Sequence, residues 1–437
     1  MNFQYWNPQI EKMPRDKLEA LQLEKLQAEI GYALRTAHYK EALAKAGITR
    51  PEDIASLEDL KRIPFTAKND LRQGFPYGFL SIPKEEVVRL HASSGTTGIP
   101  TTIYFSRGDI ERWSDNMARC IYGTGCTKND VFQNMISYGL FTGGLGLHQG
   151  GEKVGMLVIP SAAGNTARQL KLMQDFGTTV LHATPGFLLH LETKMQEAGV
   201  QRESLSIKKA FAGAEPYSED TRLRIENLLK IDVYNSYGLS EMNGPSVAFE
   251  CQCKNGLHIW EDAYIAEIVN PETLEPLKDG ETGELILTIL CREATPILRY
   301  RTRDLSSFYT EACPCGRTHR RLRRITGRSD DMLIINGVNV FPSQIEEVIM
   351  GMKEIGNNYL IVVEKEGALD RLTIKTEISP EIFMDDARPL NALKDRIIKT
   401  LQVSISISPK VELLEGGSLP VPEGKSVRVI DKRPKDV

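Results

Sequence analysis

Between about residues 87 and 320, short apolar segments alternate with longer stretches of helical periodicity. No other feature constrains the fold as strongly. Gly155-Met156-Leu157-Val158-Ile159 precedes a helical pattern over 166–176, and Thr179-Val180-Leu181-His182 precedes one over 186–198. Apolar runs too short for helices, each followed by a helix-length amphipathic stretch, predict α/β layers around a largely parallel sheet. Residues 263–290 break the rhythm. The turn-rich Pro271-Glu272-Thr273 and Asp279-Gly280-Glu281-Thr282-Gly283 predict β-hairpins there. At the start of the chain, Leu18, Leu21, Leu26, Ile30 and Leu34 share one face of a helical pattern over 15–47 that Gly47 stops.

The pattern changes at Gly327-Arg328-Ser329-Asp330-Asp331. Beyond it come a β-like Met332-Leu333-Ile334-Ile335, a turn at Asn336-Gly337 and a helix over 342–352. Strands over 359–364 and 371–377 and a helix over 387–402 follow. About a hundred residues of this kind suffice for a small α+β domain. The expected organisation is a large N-terminal α/β domain of layered sheets and helices over 1–329, and a small C-terminal α+β domain over 330–437. Asp330 is placed at the hinge.

Bulk properties exclude several classes. A net charge of −4 and a pI of about 6.1 imply no general affinity for nucleic acid. Met1-Asn2-Phe3-Gln4-Tyr5-Trp6 lacks the basic and apolar blocks of a signal peptide, and no apolar run reaches membrane-spanning length. Seven cysteines in so long a chain point to a reducing compartment rather than a disulfide framework. The expectation is a cytoplasmic protein, monomeric or homodimeric, with small-molecule partners.

Chemistry is concentrated in three segments. Ser93-Ser94-Gly95-Thr96-Thr97-Gly98 follows the strand-like Glu86-Val87-Val88-Arg89-Leu90-His91-Ala92. Its glycines let the backbone approach an anion, and its four hydroxyls offer neutral donors to phosphate oxygens. It is not a Walker loop, because no Gly-Lys-Ser/Thr follows Gly95 at the required distance. Tyr234-Asn235-Ser236-Tyr237-Gly238-Leu239-Ser240-Glu241 is the second segment, and Gly424-Lys425-Ser426-Val427-Arg428, after Ser418-Leu419-Pro420, the third. Dinucleotide binding is disfavoured because Gly144-Leu145-Gly146-Leu147-His148-Gln149 ends in Gln, and no Gly-x-Ser-x-Gly supports a serine hydrolase.

In order and separation these motifs resemble the AMP-forming acyl- and aryl-CoA synthetases of the adenylate-forming superfamily. With Tyr138-Gly139-Leu140-Phe141-Thr142-Gly143-Gly144 and Arg428-Val429-Ile430-Asp431-Lys432-Arg433, the chain is most similar to phenylacetate–CoA ligases over essentially its whole length. The resemblance implies ATP, magnesium and CoA as reactants and cofactor, with an aryl acetate converted to its CoA thioester through an acyl-adenylate. An enzyme delivering another acid to CoA or to a carrier-protein phosphopantetheine is the alternative, and a non-catalytic nucleotide-binding homologue a more distant one.

The resemblance also implies residue roles. Ser93, Ser94, Gly95, Thr96, Thr97 and Gly98 would hold the β- and γ-phosphates. Where the family often continues Gly-Lys-Pro, this chain has Ile99-Pro100, so no cation stands there. Glu241 would carry magnesium, and Asn235, Ser236, Tyr237 and Gly238 would flank adenine opposite Gly213, Ala214, Glu215 and Pro216. Asp304 would accept the ribose hydroxyls with Arg328 nearby. Lys425 would bridge carboxylate and α-phosphate during adenylation, swinging away when Gly337 approaches CoA. Tyr138, Phe141, Gly143, Gly144, Ala214 and Pro245 would line the aryl pocket.

A metal site is expected from the residues themselves. Cys251, Cys253, His258, Cys313 and Cys315 offer five donors for the four places of tetrahedral zinc. Cys251, His258, Cys313 and Cys315 are favoured, with Cys253 the alternative to Cys251. Cys120, Cys126 and Cys291 read as small buried hydrophobes.

Overall fold

A computed structural model describes residues 3–93, 100–367, 369–379, 387–420 and 427–433. Thus Ser94, Gly95, Thr96, Thr97, Gly98 and Lys425 lie outside the described residues.

The central sheet has eight strands. Leu157–Ile159, Val131–Asn134, Val180–Ala183, Lys209–Ala212 and Asp232–Leu239 run parallel to one another, and Gly244–Glu250, Leu257–Ile259 and Arg321–Leu322 continue it antiparallel. Thr166–Phe176 and Pro185–Glu197 are the helices that periodicity places between strands. A second, antiparallel sheet joins Tyr264–Val269, Gly283–Ile289, Tyr300–Ser306 and Gly327–Arg328, which makes 263–290 the expected hairpin. A separate hairpin, Val87–Ser93 with Thr101–Ser106, flanks the hydroxyl-rich loop.

The single helix expected over 15–47 is two, Arg15–Ala33 and Ala37–Lys45. Thr36 separates them in an extended conformation. Its hydroxyl oxygen accepts the Tyr39 amide at 3.1 Å, an N-cap that outcompetes continuation of the first helix.

The C-terminal domain is a four-stranded sheet ordered Lys410–Leu414, Leu369–Ile378, Ile355–Glu366, Val429–Asp431, with helices Pro342–Met350 and Ala387–Ile405. Asn336 and Gly337 both have positive φ, 49° and 82°, and close the two-residue hairpin between Leu333–Ile335 and Val338–Val340. Asn336 is fixed by reciprocal bonds with Asp370, accepting its amide at 2.7 Å and donating to its carbonyl at 2.8 Å. One apolar cluster runs through both domains, containing Leu188 and Ile225 of the large domain and Ile345 and Ile349 of the small one. Among the described residues no helix is long and apolar enough to cross a membrane.

Candidate active site and metal centre

Open α/β sheets present ligands at the carboxyl ends of their parallel strands. Here Gly213-Ala214-Glu215-Pro216 leaves the end of Lys209–Ala212, and Tyr138 to Gly144 follows the end of Val131–Asn134. Close packing there dictates glycine. A Cβ on Gly213 would stand 2.3 Å from Ser236 Oγ, and one on Gly238 only 1.5 Å from the Gly244 carbonyl oxygen. Ala214 holds φ at 70°, a left-handed conformation costly for a residue with a Cβ. Ala214 and Pro216 are exposed, and the Glu215 carboxylate accepts the Gly186 amide at 3.0 Å at the start of helix Pro185–Glu197.

Glu241 is buried in the turn Ser240–Met242. Thr101 Oγ1 donates to its carboxylate at 3.4 Å and also bonds Ser93 Oγ, so the carboxylate lies at the Ser93–Thr101 end of the hairpin, opposite its Val87–Ser106 end. Burial, and after it the Glu241 charge, pushes the pKa of the neighbouring Tyr300 phenol well up. Arg292 donates to the Glu241 carbonyl at 2.7 Å, anchoring the turn from behind. Neither Tyr300 nor Arg292 stands in a motif; Thr101, a hydroxyl just beyond the loop, was the one findable partner.

Asp304 accepts the Tyr237 hydroxyl at 2.6 Å and Arg328 Nη1 at 3.0 Å. The cross-strand register opposes Asp304 to Arg328 directly. Arg328 also forks onto both Asp330 carboxylate oxygens, at 2.9 and 3.0 Å, linking Asp304 to the expected hinge. Burial raises the Asp304 pKa to about 6 against the pull of Arg328. Asn235 donates its amide to buried Glu250 at 2.8 Å.

The candidate acyl segment packs beside these groups. Leu140 O accepts both the Ala92 amide and the His91 ring at 3.0 Å, tying 138–144 to the hairpin. Thr142 Oγ1 lies 3.4 Å from Ser240 Oγ, and a Cβ on Gly144 would strike Ser137 O at 2.7 Å. Phe141 is exposed, and Pro245 and Tyr138 are half-buried. Tyr138 is held by Asn134 at 3.0 Å and His148 at 3.2 Å, and burial raises its pKa to about 12. A Cβ on Gly143 would meet only Ile136, at 3.8 Å.

The ligand atoms of Cys251, His258, Cys313 and Cys315 lie within 4.8 Å of one another, and all four residues are buried. Cys253 is half-buried and outside this group. Cys315 Sγ is 3.3 Å from His258 Nε2, and Cys251 and Cys313 sulfurs are 3.8 Å apart. His258 Nδ1 faces the His319 carbonyl at 3.3 Å, which directs the other nitrogen's lone pair to the sulfurs. Three thiols and an imidazole without carboxylates fit zinc in donor type and number. Cys313 and Cys315 lie outside the strands, in a turn closed by the Gly316 amide donating to Cys313 O at 3.0 Å. Cys120, Cys126 and Cys291 are buried apart from the group, with thiols pushed up by burial to about 12, 11 and 12.

The basic run Arg320-Arg321-Leu322-Arg323-Arg324 is set against aromatic rings. Arg320 stacks on Phe308, Arg321 and Arg323 on Tyr309, and Arg324 on Tyr217 while pairing with Glu219 at 2.8 Å.

Residues 32–288 match the family of AMP-binding enzymes, and 337–433 match the AMP-binding enzyme C-terminal domain. The phenylacetate-coenzyme A ligase of Thermus thermophilus is 43% identical, the alignment covering 98% of this chain and 99% of that protein. That of Escherichia coli is 40% identical, covering 97% of each. 2-Hydroxyisobutyryl-CoA ligase in its postadenylation state with 2-HIB-AMP superposes with a TM-score of 0.92 at 28% identity, over 98% of this chain and 92% of that one. The same ligase in its thioesterification state, with 2-HIB-AMP and CoA, gives 0.73. The fold is therefore adenylate-forming, and the chain is an acid–thiol ligase. It belongs to the AMP-binding enzymes and, among them, to the phenylacetate–coenzyme A ligase family.

Proposed function

We propose that the chain converts an aryl acetate, phenylacetate or a close analogue, to its CoA thioester with cleavage of ATP to AMP and pyrophosphate. The substrate carboxylate attacks the α-phosphorus and pyrophosphate leaves; the CoA thiol then attacks the acyl carbon and AMP leaves. Catalysis of such steps is mainly alignment and charge stabilisation. The observation that supports the reading is the linked set Ser93, Thr101 and Glu241, in which a buried carboxylate is joined through Thr101 to Ser93, the first residue of the hydroxyl- and glycine-rich motif.

In this reading residues 93–98 bind the outer phosphates, Asp304 and Arg328 the ribose, and Asn235, Ser236, Tyr237 and Gly238 with 213–216 the adenine. Glu241 is the protein ligand for magnesium, which when bound neutralises the triphosphate. Lys425 stabilises charge in adenylation only. The aromatic and glycine-lined 138–144, closed by Ala214 and Pro245, favours a flat ring; aromatic contacts are worth about 0.5–1.5 kcal/mol beyond burial. The two domains meet near Asp330, which Arg328 ties to the ribose carboxylate. Cys251, His258, Cys313 and Cys315 hold a structural zinc. Seven cysteines in so long a chain favour a reducing compartment, the cytoplasm.

The test is a panel pairing phenylacetate and indoleacetate with straight-chain acids, each given ATP, magnesium and free CoA, with AMP release followed. Aryl acetates are expected to show the highest kcat/KM, and Phe141→Ala to weaken them more than acetate. Hexanoate or octanoate surpassing every aryl acid would overturn the substrate assignment, and AMP release independent of free CoA would overturn CoA as acceptor.

A further inference from the structure

Two charged side chains join the domains, and each caps a helix belonging to the other. Arg224 lies on helix Glu219–Leu229 of the large domain. Its Nη2 donates to Met350 O at 3.0 Å and Met352 O at 2.9 Å, main-chain acceptors at the C-terminal end of helix Pro342–Met350. Its Nη1 reaches Ile355 O at 3.0 Å, Gly356 O at 2.8 Å and Asn357 Oδ1 at 3.4 Å. All these acceptors belong to the small domain. In return, Glu346 of helix Pro342–Met350 accepts the Ser218 amide and the Thr221 hydroxyl, both at 3.1 Å, at the N-terminal end of helix Glu219–Leu229.

Helix ends explain why this pairing is favourable. The last carbonyls of a helix lack intrahelical donors and carry partial negative charge, and the first amides carry the opposite. A guanidinium on one end and a carboxylate on the other therefore meet complementary dipoles. Asn357 adds a third link by donating to Leu189 O at 3.1 Å. These bonds have directions that a rotated small domain does not reproduce. The domain arrangement that contains them superposes well on the postadenylation state of 2-hydroxyisobutyryl-CoA ligase and less well on its thioesterification state.

We infer that Arg224 and Glu346 are positioning residues that latch the small domain in the adenylate-forming arrangement and must release each other's helices before the thiol step. The inference rests on the ligase reading above. It predicts an asymmetry that simple destabilisation does not give. Weakening the latch lowers the population competent for adenylation and leaves the thiol step free.

The experiment compares full-length wild type with Arg224→Met, which keeps the apolar stem, and Glu346→Gln, which keeps the shape. Single-turnover adenylate formation from ATP and phenylacetate is expected to fall about tenfold to a hundredfold in Arg224→Met and less in Glu346→Gln, given the strength of charge-assisted bonds. Thioester formation from supplied phenylacetyl-adenylate and CoA is expected to stay level or rise. Spin labels at Lys171→Cys and Lys399→Cys, exposed on the two domains, report the arrangement without substrate. Both variants should broaden or shift that distance distribution. Unchanged distances, unchanged adenylation, or equal loss in both half-reactions would overturn the latch. A wild type inactive toward all aryl acids counts against the ligase reading, and the distances still decide the latch.

Discussion

Replacing Asp304 by asparagine should move stability and nucleotide affinity in opposite directions. The carboxyl is 13% exposed, bonded to Tyr237 and Arg328, with Asp330 beyond Arg328. Burial is the largest influence and lifts its pKa from 3.8 to about 6; Arg328 opposes, and the Asp330 charge adds to the rise. That difference corresponds to about 3 kcal/mol. Because the folded-state value is the higher one, the contribution of Asp304 to stability is complete below pH 3.8 and lost as pH rises through about 6. Asp304→Asn escapes the loss. Allowing about 1 kcal/mol for the weakened Arg328 contact, the variant should be stabilised by about 2 kcal/mol at pH 8 and not at pH 4. Ribose hydroxyls donate to an ionised carboxylate, so wild-type affinity for adenosine should improve about tenfold across pH 6. Adenosine carries the ribose without a titrating phosphate. The variant should bind weakly with a flat profile. Denaturant titrations at both pH values and calorimetry with adenosine measure the two effects. A variant equally destabilised at pH 4 and pH 8, with a flat wild-type adenosine profile, would refute the reasoning.

Lys425→Ala should cut acyl-adenylate formation by about 10²–10³ and spare thioester formation from supplied adenylate; equal losses in stopped-flow assays of the two steps would remove Lys425 from the adenylation role. Glu241→Gln should raise the magnesium concentration for half-maximal pyrophosphate release, and a superimposable titration would place the metal elsewhere. Protein purified without added metal should contain close to one zinc per chain by elemental analysis. Cys315→Ser should lose that zinc and on the order of several kcal/mol of stability, whereas zinc-free protein melting like the wild type would exclude a structural metal.

The alternation of 87–320 was legible because strand and helix periods differ, and the helices Thr166–Phe176 and Pro185–Glu197 fall within a residue of their expected bounds. The Asn336-Gly337 turn was equally legible, since few other residue pairs accept two positive φ values. The break at Thr36 was not, because a threonine inside a helical pattern becomes a cap only through its actual bond to Tyr39. The four metal-site donors were readable as types, but their convergence depends on a turn at 313–315 meeting the ends of two strands far away in sequence. Tyr300, Arg292 and Arg224 left no local signal. Their roles come from partners 51 to 133 residues distant, in registers only the folded sheets and helices define.

The N-terminal segment is fastened to the loop beside the cysteines by contacts that span most of the chain. Tyr5 donates to Cys315 O at 2.6 Å, Arg317 pairs with buried Glu11 at 2.6 Å, and Thr318 reaches Met13 O at 2.7 Å. Each joins residues more than 300 positions apart. During synthesis the first dozen residues therefore emerge long before their partners exist. Glu11, which ends fully buried, must wait in water with its charge solvated until residues 313–318 have been made. Contacts of such long range close late and slowly. A bulky group attached at Tyr5 would sit where the final closure occurs.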